Sequence, residues 1–300
     1  MMLKVWFLAA RPWSFVMTVV SASLAYIIAV SDGLNPLVGL PLYLLTLLGL
    51  IIFHAATNMA NDYFDVKHGV DRVGAPTTRY RPHPLITGQI DKRSFATVIA
   101  ILYVMVFLIA GYLAMLRGPF IIALALTGFF FSLFYTSDPI SFKYKAFGEP
   151  AVFLVWGPLM VGGAYYVMMG VLSPKPLLAS IPIGLLVAMV LLANNIRDID
   201  YDGSVGITTL ATLLGRERSV ELYRWTIISV YLLVPILVAM RILTPFSILT
   251  FLTLPQALSL IKLFKTHVPE AADPLTAQLT LKFGIMLIIG EILGILIPLR

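Results

Sequence analysis

Two short acidic stretches, residues 61–65 and 194–202, each follow a long apolar run of the chain. Carboxylates beside hydrocarbon are costly, and such residues are usually functional. Six of the fifteen acidic residues lie in or just beyond these stretches, namely Asp62, Asp65, Asp71, Asp198, Asp200 and Asp202. Carboxylate and amide oxygens gathered in this way indicate a bound cation.

The spacing within each stretch supports that interpretation. Asn194, Asp198 and Asp202 are four residues apart, so on a helix their side chains share one face. Asn61 and Asp65 have the same spacing, and the third member of their set is displaced into the following loop. Hard oxygen ligands suit Mg²⁺, which shares its coordination between carboxylates and the phosphates of a substrate. The sequence therefore predicts an active site for a lipid diphosphate.

Basic residues near both stretches could neutralise the phosphates of such a substrate. Arginine is especially suited to bidentate phosphate contacts. The candidates for the diphosphate are Lys67, Arg72, Arg79, Arg81, Lys143 and Arg197. A single Asp or Asn at a helix end is ordinarily a cap or a solvated residue, so the paired arrangement carries the hypothesis.

The elements that must position these residues are membrane helices. The chain is 59% hydrophobic and 12% charged, with a mean hydropathy of +0.93, whereas roughly 25% of residues are charged in soluble domains. Long apolar runs without the alternation of a barrel predict an all-α polytopic membrane protein. We expect nine transmembrane helices in a bundle, over residues 13–31, 37–60, 94–115, 118–136, 148–171, 176–195, 219–240, 244–264 and 278–298.

The two acidic stretches end the second and the sixth predicted helix. Four crossings separate them, so both emerge on the same side of the membrane. This recurrence predicts two duplicated four-helix halves plus one further helix, an arrangement that places a site between the halves. We therefore expect a single domain, residues 1–300, whose active-site loops are residues 61–93 and 196–218.

Charge predicts the orientation of this bundle. All but four of the 21 Lys and Arg residues fall on the side of the N-terminus, the exceptions being Arg117, Lys175, Arg241 and Arg300. By the positive-inside rule, a multi-pass protein of the cell membrane is expected, with its N-terminus and both acidic loops in the cytoplasm.

The same charge pattern bears on the function classes. Because the basic residues follow the topology, the net charge of +6 does not indicate a nucleic-acid partner. No obligate protein partner is expected either. The chain has no cysteine, which excludes disulfides, thiolate catalysis and cysteine-ligated metals.

The acidic motifs resemble those of the UbiA superfamily of intramembrane prenyltransferases, and the resemblance spans nearly the whole chain. That superfamily has two aspartate-rich motifs, after its second and sixth helices, which residues 61–71 and 194–215 resemble. Within the superfamily the chain is most similar to the 1,4-dihydroxy-2-naphthoate prenyltransferases of menaquinone synthesis and their vertebrate relative. The segments that carry this similarity are Gly69-Val70-Asp71, Asn194 to Asp198, and Gly148-Glu149 with the rest of the fifth helix. Arg11-Pro12 near the N-terminus also fits.

The resemblance implies a Mg²⁺-dependent enzyme of quinone biosynthesis. It would transfer a polyprenyl group from an allylic prenyl diphosphate to an aromatic acceptor of the dihydroxynaphthoate type, through an allylic carbocation. The residues that would hold Mg²⁺ and serve catalysis are Asn61, Asp65, Asp198 and Asp202, with Asp62, Asp71 and Asn194 assisting as metal ligands.

Other functions stay open at this point. Residues 83–88 and Ile207 depart from the pattern of the family, at positions expected to contact phosphate or acceptor. The same chemistry on 4-hydroxybenzoate or on a glycerol-phosphate lipid is therefore an alternative. A cation-coupled transporter would also have repeats and buried carboxylates. Its carboxylates should lie near the bilayer midplane at broken helices, whereas these are predicted at helix ends.

Overall fold

The computed structural model describes residues 2–76, 78 and 83–298. Eight of its helices are long and apolar enough to cross a membrane, and a ninth apolar helix is shorter. The nine are α1 (Met2–Ser31), α2 (Pro36–Lys67), α3 (Lys92–Arg117), α4 (Phe120–Phe134), α5 (Gly148–Met169), α6 (Pro174–Arg197), α7 (Arg216–Ala239), α8 (Pro245–Thr266) and α9 (Ala272–Leu296). The predicted nine-helix, all-α architecture is confirmed over the described residues.

Shorter helical pieces connect or interrupt these nine. Phe142–Tyr144 forms a turn of 3₁₀-helix between α4 and α5, and Ile199–Ser204 and Leu210–Leu214 are short α-helices after α6. α5 contains a π-helical turn at Val155–Leu159, and α8 begins as the 3₁₀-helix Pro245–Thr253. Pro158 lies inside the π-helical turn and removes a backbone donor there, which accounts for the departure of α5 from regular α-helix.

α6 lies at the centre of the bundle and packs against α5, α7 and α9. α9 in turn packs against α1 and α8, while α1 contacts α2 and α5. The backbones of α5 and α6 approach closely where a Cβ on Gly157 would lie 3.2 Å from the Cα of Gly184. Small residues at such crossings let the backbones of two membrane helices approach closely. This close packing stabilises the helix pair, because lipid provides no hydrophobic driving force for helix association.

α1 is broken at Arg11, which adopts a left-handed conformation with φ 55° and ψ 58° just before Pro12. This region is uncommon for a residue with a side chain. The break turns the Arg11 guanidinium toward α2, where it forms an ion pair with Asp62. α1 is thus held to the end of α2 that carries the first acidic stretch.

α2 continues to Lys67, several residues beyond its apolar part, so the first acidic stretch is helical and does not begin the loop predicted at residue 61. Gly69, which lies two residues beyond Lys67 and has a φ of 75°, terminates the helix. The Val70 amide donates to the Asp65 carbonyl and the Gly69 amide to the Val66 carbonyl, which is the Schellman termination that glycine favours. This glycine, rather than the polarity of the side chains, decides where the helix stops.

The ends of α2 and α6 lie side by side. The Tyr201 hydroxyl, in the helix that follows α6, donates to the Val70 carbonyl just after α2 at 2.7 Å. Both acidic stretches are therefore on the same side of the bundle, as the count of crossings predicted.

Candidate active site

Asn61 and Asp65 lie one turn apart on the last turns of α2, and their partners come from the segment between α4 and α5. Asp65 is 1% exposed and accepts from Lys143 Nζ at 2.7 Å and from the Tyr144 hydroxyl at 2.5 Å. Asn61 Oδ1 accepts from Thr136 Oγ1 at 2.7 Å, with Lys143 Nζ at 3.4 Å. The first stretch is thus fixed by residues distant in the chain.

The charges of this first group favour a protonated Lys143. Burial lowers the pKa of Lys143, but the carboxylates of Asp65 and Asp71 raise it more, so the net shift is upward. The pKa of Tyr144 is raised by burial and then by the charge of Asp65. At neutral pH both side chains are therefore proton donors to Asp65.

In the second stretch, Asn194 and Asp198 are both held by Arg197. Arg197 Nε and Nη2 contact the two oxygens of Asp198 at 2.8 and 2.7 Å, and Nη2 also lies 2.7 Å from Asn194 Oδ1. Nη1 of Arg197 forms an ion pair with Asp273 of α9. The backbone bonds from Asp198 to Asn194 and from Asp202 to Asp198 measure 3.0 and 2.9 Å, so the one-turn spacing continues past the end of α6.

Asp202 connects the two groups electrostatically. It is half-buried, and no side-chain hydrogen bond to it is present among the described residues. Its pKa is raised to about 7 by burial first; Lys143 lowers it, and the charges of Asp198 and Asp65 raise it. A bound cation would relieve this mutual repulsion of carboxylates.

A cavity of about 290 Å³ lies between the two groups. Its polar end is lined by Asn61, Asp65, Lys143 and Asn194, together with Arg11 and Asp273. Its other walls are mainly apolar and aromatic, and include Met17, Leu50, Phe53, Phe131, Tyr135, Val152, Trp156 and Val187. This division suits an amphiphile with a charged head and a hydrocarbon body.

Asp62 and Asp71 form a neighbouring buried group with Arg11 and His83. His83 Nε2 lies 3.2 Å from an Asp71 oxygen and 3.9 Å from an Asp62 oxygen. One ligand atom from each of Asp62, Asp71 and His83 can be chosen so that all lie within 4.8 Å of one another. Asp62 and Asp71 are not among the residues that line the cavity.

The other basic residues predicted to bind the diphosphate either do not line the cavity or fall outside the described residues. Lys67 and Arg72 are exposed, and neither side chain has a hydrogen bond or ion pair within the described part of the chain. Lys67 Nζ lies over the Phe64 ring at 5.7 Å. Arg79 and Arg81 fall outside the described residues.

Sequence reasoning missed Tyr144 and Asp273 entirely, and it noted Arg11 only as part of an N-terminal match. No spacing relation links Tyr144 or Asp273 to an acidic stretch. Arg11 could have been found, because it is a charged residue that interrupts an apolar segment.

The oxygen donors of the two groups fit Mg²⁺, and three of these residues, Asn61, Asp65 and Asn194, line the cavity. Asn61, Asp65, Asn194, Asp198 and Asp202 offer amide and carboxylate oxygens, the ligands that this hard cation prefers, and no sulfur or imidazole is among them. Lys143 and Arg197 already touch these carboxylates, so they are placed to meet an anion that shares the metal. The arrangement can hold a divalent cation together with a polyanionic head group.

Comparison with known proteins gives a family. A model described as the UbiA prenyltransferase family matches residues 9–283. UbiA prenyltransferase domain-containing protein 1 of Homo sapiens is 31% identical over 294 residues, covering 96% of this chain and 83% of that protein. The protein of the same name from Mus musculus is 32% identical over 295 residues, with the same two coverages.

Solved structures share the fold. A UbiA homolog from Aeropyrum pernix K1 superposes with a TM-score of 0.69 at 17% identity, covering 91% of this chain and 97% of that one. A UbiA homolog from Archaeoglobus fulgidus, bound to DMAPP and Mg²⁺, gives a TM-score of 0.65 at 14% identity, covering 94% and 98%.

Proposed function

This chain belongs to the UbiA family of intramembrane prenyltransferases, and we propose that it transfers a polyprenyl group from an allylic prenyl diphosphate to an aromatic acceptor with the help of Mg²⁺. One observation carries the proposal. Asn61 and Asp65 of one acidic stretch and Asn194 of the other line the polar end of a single cavity whose body is largely apolar. Such a cavity suits a substrate with a diphosphate head and a hydrocarbon tail.

In this proposal the carboxylates hold Mg²⁺ against the diphosphate. Asn61, Asp65, Asp198 and Asp202 are the principal ligands, with Asn194 beside them. When bound, Mg²⁺ supplies Lewis acidity toward the leaving diphosphate. A UbiA homolog of the same fold is bound to DMAPP and Mg²⁺, which supports the choice of this cation and of a prenyl diphosphate. For Asp62 and Asp71, which lie in the neighbouring group with His83, we propose a supporting role.

Lys143 and Arg197 neutralise the charge that develops as the donor ionises. The allylic C–O bond breaks and its electron pair leaves with the diphosphate. Lys143, kept protonated by its carboxylate neighbours, stabilises that charge from a fixed position, which is how preorganised groups accelerate a reaction. Both side chains are oriented before the substrate binds, because each already contacts a carboxylate.

The apolar body of the cavity protects the allylic cation. Phe131 and Tyr135 line the cavity, and the π faces of such rings attract cations. Of the other aromatic residues nearby, Phe129 packs edge-on against Tyr103 instead. Exclusion of water prevents hydrolysis of the cation. An electron-rich aromatic carbon of the acceptor then forms the new C–C bond, and that carbon releases a proton or, in a naphthoate, its carboxylate as CO₂.

For the acceptor we propose a dihydroxynaphthoate, which makes the reaction a step of quinone biosynthesis. The support is the sequence around Gly69-Val70-Asp71 and around Asn194 to Asp198. 4-Hydroxybenzoate and a glycerol-phosphate lipid are the competing acceptors. His83, one of the residues that depart from the family pattern, is buried against Asp71 and does not line the cavity.

We further propose that the polar end of the cavity faces the cytoplasm from the cell membrane, as the distribution of basic residues indicates. A transporter is disfavoured by the position of the carboxylates. Asp65 and Asp198 lie at the ends of α2 and α6, whereas transported cations are held by carboxylates near the midplane.

The test is prenyl transfer by the purified protein with labelled geranylgeranyl diphosphate. The acceptors are 1,4-dihydroxy-2-naphthoate, 4-hydroxybenzoate and geranylgeranylglyceryl phosphate, each with Mg²⁺ or with excess chelator. We expect a Mg²⁺-dependent product with the naphthoate. A product with another acceptor instead would overturn the acceptor assignment alone. A protein that binds no diphosphate in the presence of Mg²⁺ would contradict the whole proposal.

A further inference from the structure

A second cavity, of about 140 Å³, lies further from the acidic stretches, between α2, α3, α4 and α5. Its lining is apolar except for Thr46, whose hydroxyl donates to the Leu42 carbonyl of its own helix. The cavity therefore presents no free polar group from the residues that line it. An apolar lining of this kind favours contact with hydrocarbon over contact with water.

The two cavities meet. Five residues line both of them, namely Leu50, Phe53, Gly128, Val155 and Met160. The junction thus lies between α2, α4 and the π-helical turn of α5. A hydrocarbon chain whose head is at Asp65 could pass through this junction from the first cavity into the second.

At the junction Phe53 of α2 packs directly on Gly128 of α4. A Cβ built on Gly128 would lie 2.8 Å from Phe53 Cε1 and 3.2 Å from Phe53 Cζ, closer than side chains approach. Gly128 is buried within a helix, where glycine is a poor choice compared with alanine. The absence of a side chain at Gly128 leaves the space that the Phe53 ring occupies.

Tyr103 limits how far the Phe53 ring can move in the direction of α3. Tyr103 of α3 packs edge-on against it, with centroids 5.9 Å apart. The Tyr103 hydroxyl is fixed in turn by a 2.6 Å hydrogen bond with Ser132. A side chain at residue 128 would therefore push the ring toward the space between the cavities.

From this geometry we infer that the contact of Phe53 with Gly128 sets the length of prenyl tail that the enzyme accepts. The inference rests on the proposed prenyl transfer. The first cavity holds the isoprene units nearest the diphosphate, and longer tails pass Phe53 into the second cavity. Phe53 and Gly128 are specificity-determining residues, which touch the tail at a distance from the reacting carbon.

The experiment compares kcat/KM for geranyl, farnesyl and geranylgeranyl diphosphates with one acceptor and saturating Mg²⁺. Gly128→Ala is expected to lower the ratio of geranylgeranyl to geranyl transfer by about tenfold, the usual effect of one carbon in an apolar pocket. Phe53→Leu is expected to raise that ratio. Gly111→Ala in α3 is the matched control, because a Cβ there meets no atom within 4 Å, and its ratio should equal that of the wild type.

The possible results distinguish a failure of the tail-length inference from a failure of the proposed prenyl transfer. An unchanged ratio in folded Gly128→Ala protein, or an equal loss with all three donors, would overturn the inference while leaving prenyl transfer intact. If Gly128→Ala does not fold, Phe53→Leu decides, and an unchanged ratio there has the same meaning. A wild-type protein that transfers none of the donors would overturn the proposed function and this inference with it.

Discussion

The two acidic stretches share a four-residue spacing but hold their carboxylates by different means. Asp65 is held by Lys143 and Tyr144, which come from another part of the chain. Asp198 is held by Arg197, the residue directly before it. The first stretch therefore takes its geometry from the tertiary fold, and the second takes most of its geometry from its own sequence.

The two stretches also differ in exposure. Asp65 is 1% exposed, whereas the Asp198 side chain is 10% exposed and Asp202 is half-buried. A buried carboxylate with fixed donors is preorganised, and a less buried one can adjust when a ligand binds. α2 therefore supplies the rigid side of the site, and the end of α6 supplies the adaptable side.

The largest effect is expected from Asp65→Asn and Asp198→Asn. Each removes a ligand charge while keeping the shape of the side chain, so transfer should fall at least about a thousandfold. Asp65→Asn should be the more severe because it also leaves Lys143 without its nearest counter-charge. The measurements are kcat with saturating donor, and thermal unfolding to verify the fold. Wild-type activity in a folded Asp65→Asn, Asp198→Asn double variant would defeat the metal-site assignment.

A smaller effect should follow from Arg197→Lys, which keeps the charge but removes the planar fork. Arg197 contacts Asp198, Asn194 and Asp273 at once, and an ammonium group cannot reproduce that geometry. We expect transfer to fall about tenfold, with a higher KM for the donor. Arg224→Lys is the control, since within the described part of the chain the Arg224 side chain pairs with Glu221 of its own helix and stacks on the Trp225 ring, away from the acidic stretches. Equal activity of the two variants would show that charge alone suffices at residue 197.

The features that could be predicted from the sequence are local ones, and the features that were missed depend on tertiary packing. The long apolar runs were enough to predict nine helices, because a helix needs such a run to cross hydrocarbon. The spacing of Asn194, Asp198 and Asp202 was enough to predict that their side chains share one face of a helix, because helical periodicity is local. Tyr144 could not be found in this way. Its contact with Asp65 spans 79 residues and depends on how α4, α5 and α2 pack.

The position of Asp62 follows from helical periodicity. It directly follows Asn61, so it points about 100° around the helix from the face that Asn61 and Asp65 share. The structure accordingly places it with Arg11 and His83. The end of α2 was misplaced for another reason, since the apolar pattern stops before the helix does and the stop signal is Gly69.

The smallest effect is expected from Asp200→Asn, which tests whether the second stretch acts through one face or as an acidic strip. The Asp200 side chain is 91% exposed and pairs with the partly exposed Arg216 at 2.8 Å. By helical phase it points away from Asp198 and Asp202. Exposed pairs contribute little, so transfer should stay within about twofold of the wild type. A loss as large as that of Arg197→Lys would mean that negative charge anywhere after α6 attracts the metal and its substrate, and that the one-face geometry is not what selects the ligands.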